Sequence, residues 1–82
     1  MVEVDILFFA LYRELAGTAR MRMTLSSGCV VSDVVTRLKA GGGGLTSLPS
    51  QPVVAVNREY VPLSTPLSSG DEVAFIPPVS GG

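Results

Sequence analysis

Residues 2–9, VEVDILFF, place Val2, Val4, Ile6 and Phe8 on one side and Glu3, Asp5, Leu7 and Phe9 on the other. This is the two-residue period of a β-strand with one face buried, here the face of Val2, Val4, Ile6 and Phe8. Such a strand requires neighbours to pair with and an apolar layer to cover its buried face, so the rest of the chain must supply both. With 82 residues it has material for one domain, since domains cluster near about 100–150 residues. A domain this small must put most of its apolar side chains into one core, and 46% hydrophobic residues suffice for that.

The remaining elements follow from local pattern. Residues 10–16, ALYRELA, are good helix formers closed by Gly17, which predicts a short helix. Residues 19–25 alternate again, with Met21, Met23 and Leu25 opposite Arg20, Arg22 and Thr24, and predict a second strand. Gly28 breaks the chain. Ser32 is then expected to cap a helix carrying Val34, Val35 and Leu38 at helical spacing and ending at Gly41. The glycines 41–44, followed by Ser47, Pro49, Ser50 and Pro52, predict a mobile loop of low structural content. VVAV at 53–56 predicts a short buried strand, and Asn57 suits the positive φ of a tight turn. Residues 60–63 are expected to pair back, with Pro62 placing them at a sheet edge. Ser69-Gly70-Asp71 forms another turn before a last strand, EVAFI, at 72–76. The order is α+β, with one main helix on one sheet face.

Several function classes are disfavoured. Six Lys or Arg against seven Asp or Glu, with the basic residues scattered, give no stripe for a nucleic acid. Acids at Glu3 and Asp5 and the lack of an apolar run near the roughly 18 residues of a membrane span predict a soluble, cytoplasmic protein. Cys29 is the only cysteine and the chain has no histidine, so an intramolecular disulfide and a zinc ligand set are both excluded. Cys29 is expected to pack as a small hydrophobe. The glycine run lacks the Lys-Ser/Thr of a phosphate loop. Arg13, Glu14 and Lys39 are ordinary helix-surface charges. No constellation supports an enzyme acting alone.

The unusual feature is the ending, PPVSGG. Pro77 and Pro78 end the strand and hold the chain extended. Val79 to Gly82 then span up to about 13 Å at roughly 3.3 Å per residue. Gly81 and Gly82 carry no side chain to obstruct a narrow channel. A terminal carboxylate is a weak nucleophile, but another enzyme can join it to AMP, and attack by sulfur on the resulting acyl adenylate yields a thiocarboxylate. The competing reading is a frayed end without a role.

Three stretches, ILFFALYRELAG (6–17), VAVN (54–57) and PLSSGDEVAFIPPVSGG (66–82), resemble in order and spacing the small-subunit family of molybdopterin synthase, sulfur carriers of molybdenum cofactor biosynthesis. The resemblance covers almost the whole chain and is most specific at GDEVAFIPPVSGG; the four-glycine run is longer than the family requires. It implies a ubiquitin-like β-grasp fold, a mixed sheet of about five strands on one main helix, with residues 1–77 as the domain and 78–82 as a flexible, extended tail. It implies that Gly82 is adenylated and thiocarboxylated, that Gly81 lets it thread, and that sulfur passes to cyclic pyranopterin monophosphate. The implied partners are the synthase large subunit, in a heterotetramer, a ubiquitin-activating-like adenylyltransferase that uses ATP, and a sulfurtransferase. No cofactor is implied for this chain itself. The family's contact with the large subunit is apolar, and Phe9, Tyr60, Ile76, Pro77, Pro78 and Val79 are the residues expected to make it. Phe9 and Ile76 packed beneath the helix or a loop is the other reading of their place. Three other functions remain open: a thiamine-pathway sulfur carrier, a ubiquitin-like modifier of lysines, and a β-grasp interaction module with an inert tail.

Overall fold

Alternation in the first 25 residues becomes an antiparallel pair, β1 (Val2–Phe8) with β2 (Arg20–Leu25), in a register that sets Val4 opposite Met23 and Asp5 opposite Arg22. Between them lies α1 (Ala10–Ala16), closed by Gly17 in the left-handed conformation at φ 77. The expected helix and its stop are therefore both present. The computed structural model describes residues 1–78 and is completed by α2 (Val31–Ala40), a 3₁₀ turn at Gly43–Ser47, β3 (Val53–Val56), β4 (Glu59–Val61) and β5 (Glu72–Ile76). The sheet runs β2-β1-β5-β3-β4, with β1 and β5 parallel at its centre and every other pair antiparallel.

One face of this sheet is sealed. Val2, Val4, Ile6 and Phe8 of β1, Val54 and Val56 of β3, and Val73 and Phe75 of β5 point to the same side and are buried. Val31, Val34, Val35 and Leu38 cover them from α2, the spacing of one helical stripe. Phe8 and Phe75, opposite each other across the parallel pair, stack with ring centroids 5.9 Å apart. Cys29 is buried in the same cluster, as its role as a small hydrophobe requires.

The start of α2 corrects the expected cap. Val30, not Ser32, occupies the cap position, and its N–H donates to the Asp33 carboxylate at 2.8 Å. The next two N–H groups, of Val31 and Ser32, donate to the carbonyls of Thr65 and Leu63. Backbone from a distant segment meets the helix's orphan donors, so no capping side chain is needed. Ser32 is the second residue of the helix.

The glycine-rich segment also departs from expectation. It forms the 3₁₀ turn, buries Leu45 and Leu48 in the core, and is tied to α2 by Lys39, whose ammonium donates to the Leu48 carbonyl at 2.6 Å. Lys39 is half-buried rather than a plain surface charge. Gly44 permits the close approach, because a Cβ there would run into the backbone carbonyl of Leu15 in α1. Gly44→Ala is accordingly expected to destabilise the fold by about 1–3 kcal/mol, the usual range for overpacking. Urea denaturation would show this as a lowered midpoint, and an unchanged midpoint would contradict the contact.

β4 begins one residue earlier than expected and ends at Val61, before Pro62. Asn57 and Arg58 make the two-residue hairpin turn, both at positive φ, 51 and 72. The predicted edge position holds, since β4 is the last strand of the order. Among the described residues no helix is long and apolar enough to cross a membrane.

Candidate functional site

The opposite sheet face carries no helix, and its composition changes along the strands. Toward the start of β1 it is polar: Glu3 and Asp5 lie on it, and Arg22 contacts both, at 3.8 and 3.2 Å. Toward the end of β1 it turns apolar. Leu7 and Phe9 from β1 and its exit, Ala74 and Ile76 from β5, and Ala55 and Tyr60 from the β3–β4 hairpin line one shallow depression.

Strand order is what gathers these residues. β1 and β5 run in parallel side by side, so the exits of both strands, Phe9 and Ile76, fall at the same end of the sheet. The β3–β5 register sets Val53 against Ile76 and Ala55 against Ala74, and the hairpin then sets Tyr60 against Ala55. Three aromatic or aliphatic side chains, from residues far apart in sequence, meet on one surface. Phe9 is 47% and Tyr60 73% exposed, while Ile76 is half-buried.

Phe9 owes its outward direction to the break between β1 and α1. It caps the helix with extended backbone, and Ala10 follows at φ 47. That conformation costs a residue with a Cβ roughly 1–2 kcal/mol. Packing of Phe9 and Ile76 beneath the helix is thereby excluded, since α2 lies on the other face.

Pro77 is half-buried and Pro78 exposed as the chain leaves β5. The exit is at the apolar end of the open face, directly after Ile76. Val79, Gly81 and Gly82, the other residues singled out from the sequence, lie outside the described residues. Six residues lining the depression were not singled out from the sequence: Leu7, Arg20, Ala55, Arg58, Glu72 and Ala74. Leu7 and Arg20 were legible as a pair, since they share the outward phase of neighbouring alternating strands. Arg58 and Glu72 became neighbours of the patch only through the pairing of β3 with β5.

No metal-binding cluster of His, Cys, Asp or Glu occurs among the described residues. The described residues offer a surface with the chain exit at its rim.

A sheet of this order grasping one helix, with the chain end leaving beside an exposed apolar face, defines a ubiquitin-like β-grasp domain. Residues 6–82 match the ThiS family, and the chain belongs to it. Over nearly its full length it is similar to proteins named molybdopterin synthase sulfur carrier subunit. That of Chlamydomonas reinhardtii is 37% identical over 99% of this chain and 100% of its own. That of Mycobacterium tuberculosis is 39% identical over 100% of both. Among solved structures, small archaeal modifier protein 1 of Haloferax volcanii superposes with a TM-score of 0.85 at 30% identity, covering 98% of this chain and 99% of that one.

Proposed function

We propose that this chain is the sulfur carrier subunit of a molybdopterin synthase, and that its working group is the carboxylate of Gly82. The observation that carries the proposal is the exit of the chain from β5 at the rim of an apolar, partly exposed sheet face. A tail that must enter another protein's active site needs a docking surface next to its root, and this face provides one.

The chemistry divides between the carrier and its partners. An adenylyltransferase directs the Gly82 carboxylate onto the α-phosphorus of ATP; the acyl adenylate forms and pyrophosphate leaves. A hydrosulfide equivalent supplied through a sulfurtransferase then attacks the acyl carbon and expels AMP, leaving a thiocarboxylate. In the synthase the thiocarboxylate sulfur attacks a substrate carbon of cyclic pyranopterin monophosphate and displaces an oxygen substituent from it; water then cleaves the acyl–sulfur bond, leaving the sulfur on the pterin and the tail as a carboxylate. Paired carriers on a paired large subunit, a cytoplasmic heterotetramer, would supply both sulfurs of the dithiolene. The carrier's own contribution is positional: Phe9, Tyr60, Ile76, Pro77 and Pro78 seat the domain, and Val79 to Gly82 thread. Gly81, lacking a side chain, leaves the narrowest part of the path open.

A second reading has one observation behind it, the likeness to small archaeal modifier protein 1. As a modifier the chain would pass the same activated carboxylate to a lysine amine instead of to sulfur.

The docking face gives the first test. Phe9→Ala and Tyr60→Ala remove a half-exposed and a largely exposed ring, so folding should be little affected, while affinity for the synthase large subunit should fall about 30-fold, the effect of a hot-spot residue worth about 2 kcal/mol. Calorimetric titration of folded variants measures it. Undiminished binding by both would remove the sheet face from the interface.

A further inference from the structure

Two arginines on the open face have no use in the account above. Arg20 stands at the start of β2 and Arg58 in the β3–β4 turn, and both line the depression that Phe9, Tyr60 and Ile76 share. Both are exposed, and neither guanidinium makes an ion pair or a hydrogen bond among the described residues; the Arg20 bonds to Thr18 are through its backbone. Arg22, by contrast, is engaged with Glu3 and Asp5. The strand order separates Arg20 from Arg58 by three to four strand spacings, roughly 15–20 Å at about 4.8 Å each. The apolar patch lies between them. Glu72 also borders the depression, near the Arg58 end, but stands in no ion pair with either arginine.

Arg58 is also conformationally misplaced. As the second residue of a two-residue hairpin turn it holds φ 72, where glycine is the favoured residue. A side chain kept at positive φ beside a binding face points to a use for that side chain.

We propose that Arg20 and Arg58 are two cationic corners of the docking face, each receiving a carboxylate from an acidic protein surface that closes over the apolar patch. The proposal rests on the docking face assigned to the carrier, and extends it by stating what the partner must present. The occupant is a protein surface with an apolar centre and acidic groups set apart by the distance between the two arginines. Long-range attraction from the corners accelerates encounter and fixes orientation, while Phe9 and Tyr60 supply the short-range contact.

The test is binding of the synthase large subunit at two ionic strengths. The double variant Arg20→Gln with Arg58→Gln should bind about tenfold more weakly in 50 mM salt, chiefly through slower association, and about twofold more weakly in 0.5 M salt, where charges are screened over a few ångströms. Phe9→Ala should lose affinity to a similar degree at both salt concentrations, which separates this proposal from the docking face itself. Arg58→Gly supplies the second readout: relief of the positive φ should raise Tm by about 4 °C while association slows. Loss on Phe9→Ala with no salt-dependent change in the arginine variants would overturn the proposal and leave the docking face standing. A rise in Tm for Arg58→Gly with unaltered association would overturn the role of Arg58.

Discussion

Replacing Phe75 with alanine is expected to cost about 3–5 kcal/mol of folding stability, the range for emptying an aromatic site in a core. Its ring is fully buried on the helix-covered face and packs on Phe8 across the parallel β1–β5 pair. β5 lies between β1 and β3, so loosening it disturbs both halves of the sheet at once. Domains of this size have little stability to spare, typically 5–15 kcal/mol and toward the lower end when small. Thermal denaturation should therefore show Tm lowered by about 15 °C or more. A shift of only one or two degrees would mean that the β1–β5 pair is not what holds the sheet together. The same strand carries the tail, so the variant should also lose partner binding, even though Phe75 faces away from the open sheet face.

Much of this architecture was legible in the sequence, where local chemistry decides. The alternation of β1 assigned Val2, Val4, Ile6 and Phe8 to the core, and all four are buried. Gly17 stops α1 and Asn57 opens the hairpin turn because each backbone conformation selects its residue type. Misreadings arose where distant backbone decides. Ser32 looked like a cap because the carbonyls of Leu63 and Thr65 that satisfy the helix start are some thirty residues away in sequence. Four glycines looked like a mobile linker because nothing local shows that Gly44 sits against Leu15 or that Lys39 reaches Leu48.

The site follows the same division. Phe9 and Ile76 were marked by being out of phase with their buried neighbours, a local signal. That they and Tyr60 form one surface depends on β1 lying beside β5 and β5 beside β3, which no spacing in the chain encodes. Arg58 escaped notice for a related reason. Only Asn57 was marked for positive φ, and an arginine in the next position gives no sequence signal of its exposure on the open face.

The carrier chemistry predicts an all-or-none effect at the chain end. Phe75 is the last core residue among those described, and folding is expected to proceed without glycines 81 and 82. A chain lacking them should therefore have the same Tm and still lose every trace of sulfur acceptance, because Ser80 would present its carboxylate short of the activating site and behind a side chain. Uncoupling stability from function in this way is the opposite of what Phe75→Ala does.

The most direct measurement is the intact mass of the chain after incubation with ATP, a cysteine-desulfurase sulfur source and the activating enzyme of the same organism. The account predicts a mass gain equal to exchange of one oxygen for sulfur, absent without ATP and absent in the chain lacking Gly81 and Gly82. No such gain with an enzyme shown to adenylate the chain, and in its place covalent adducts on lysines of other proteins, would contradict sulfur carriage and establish the chain as a modifier.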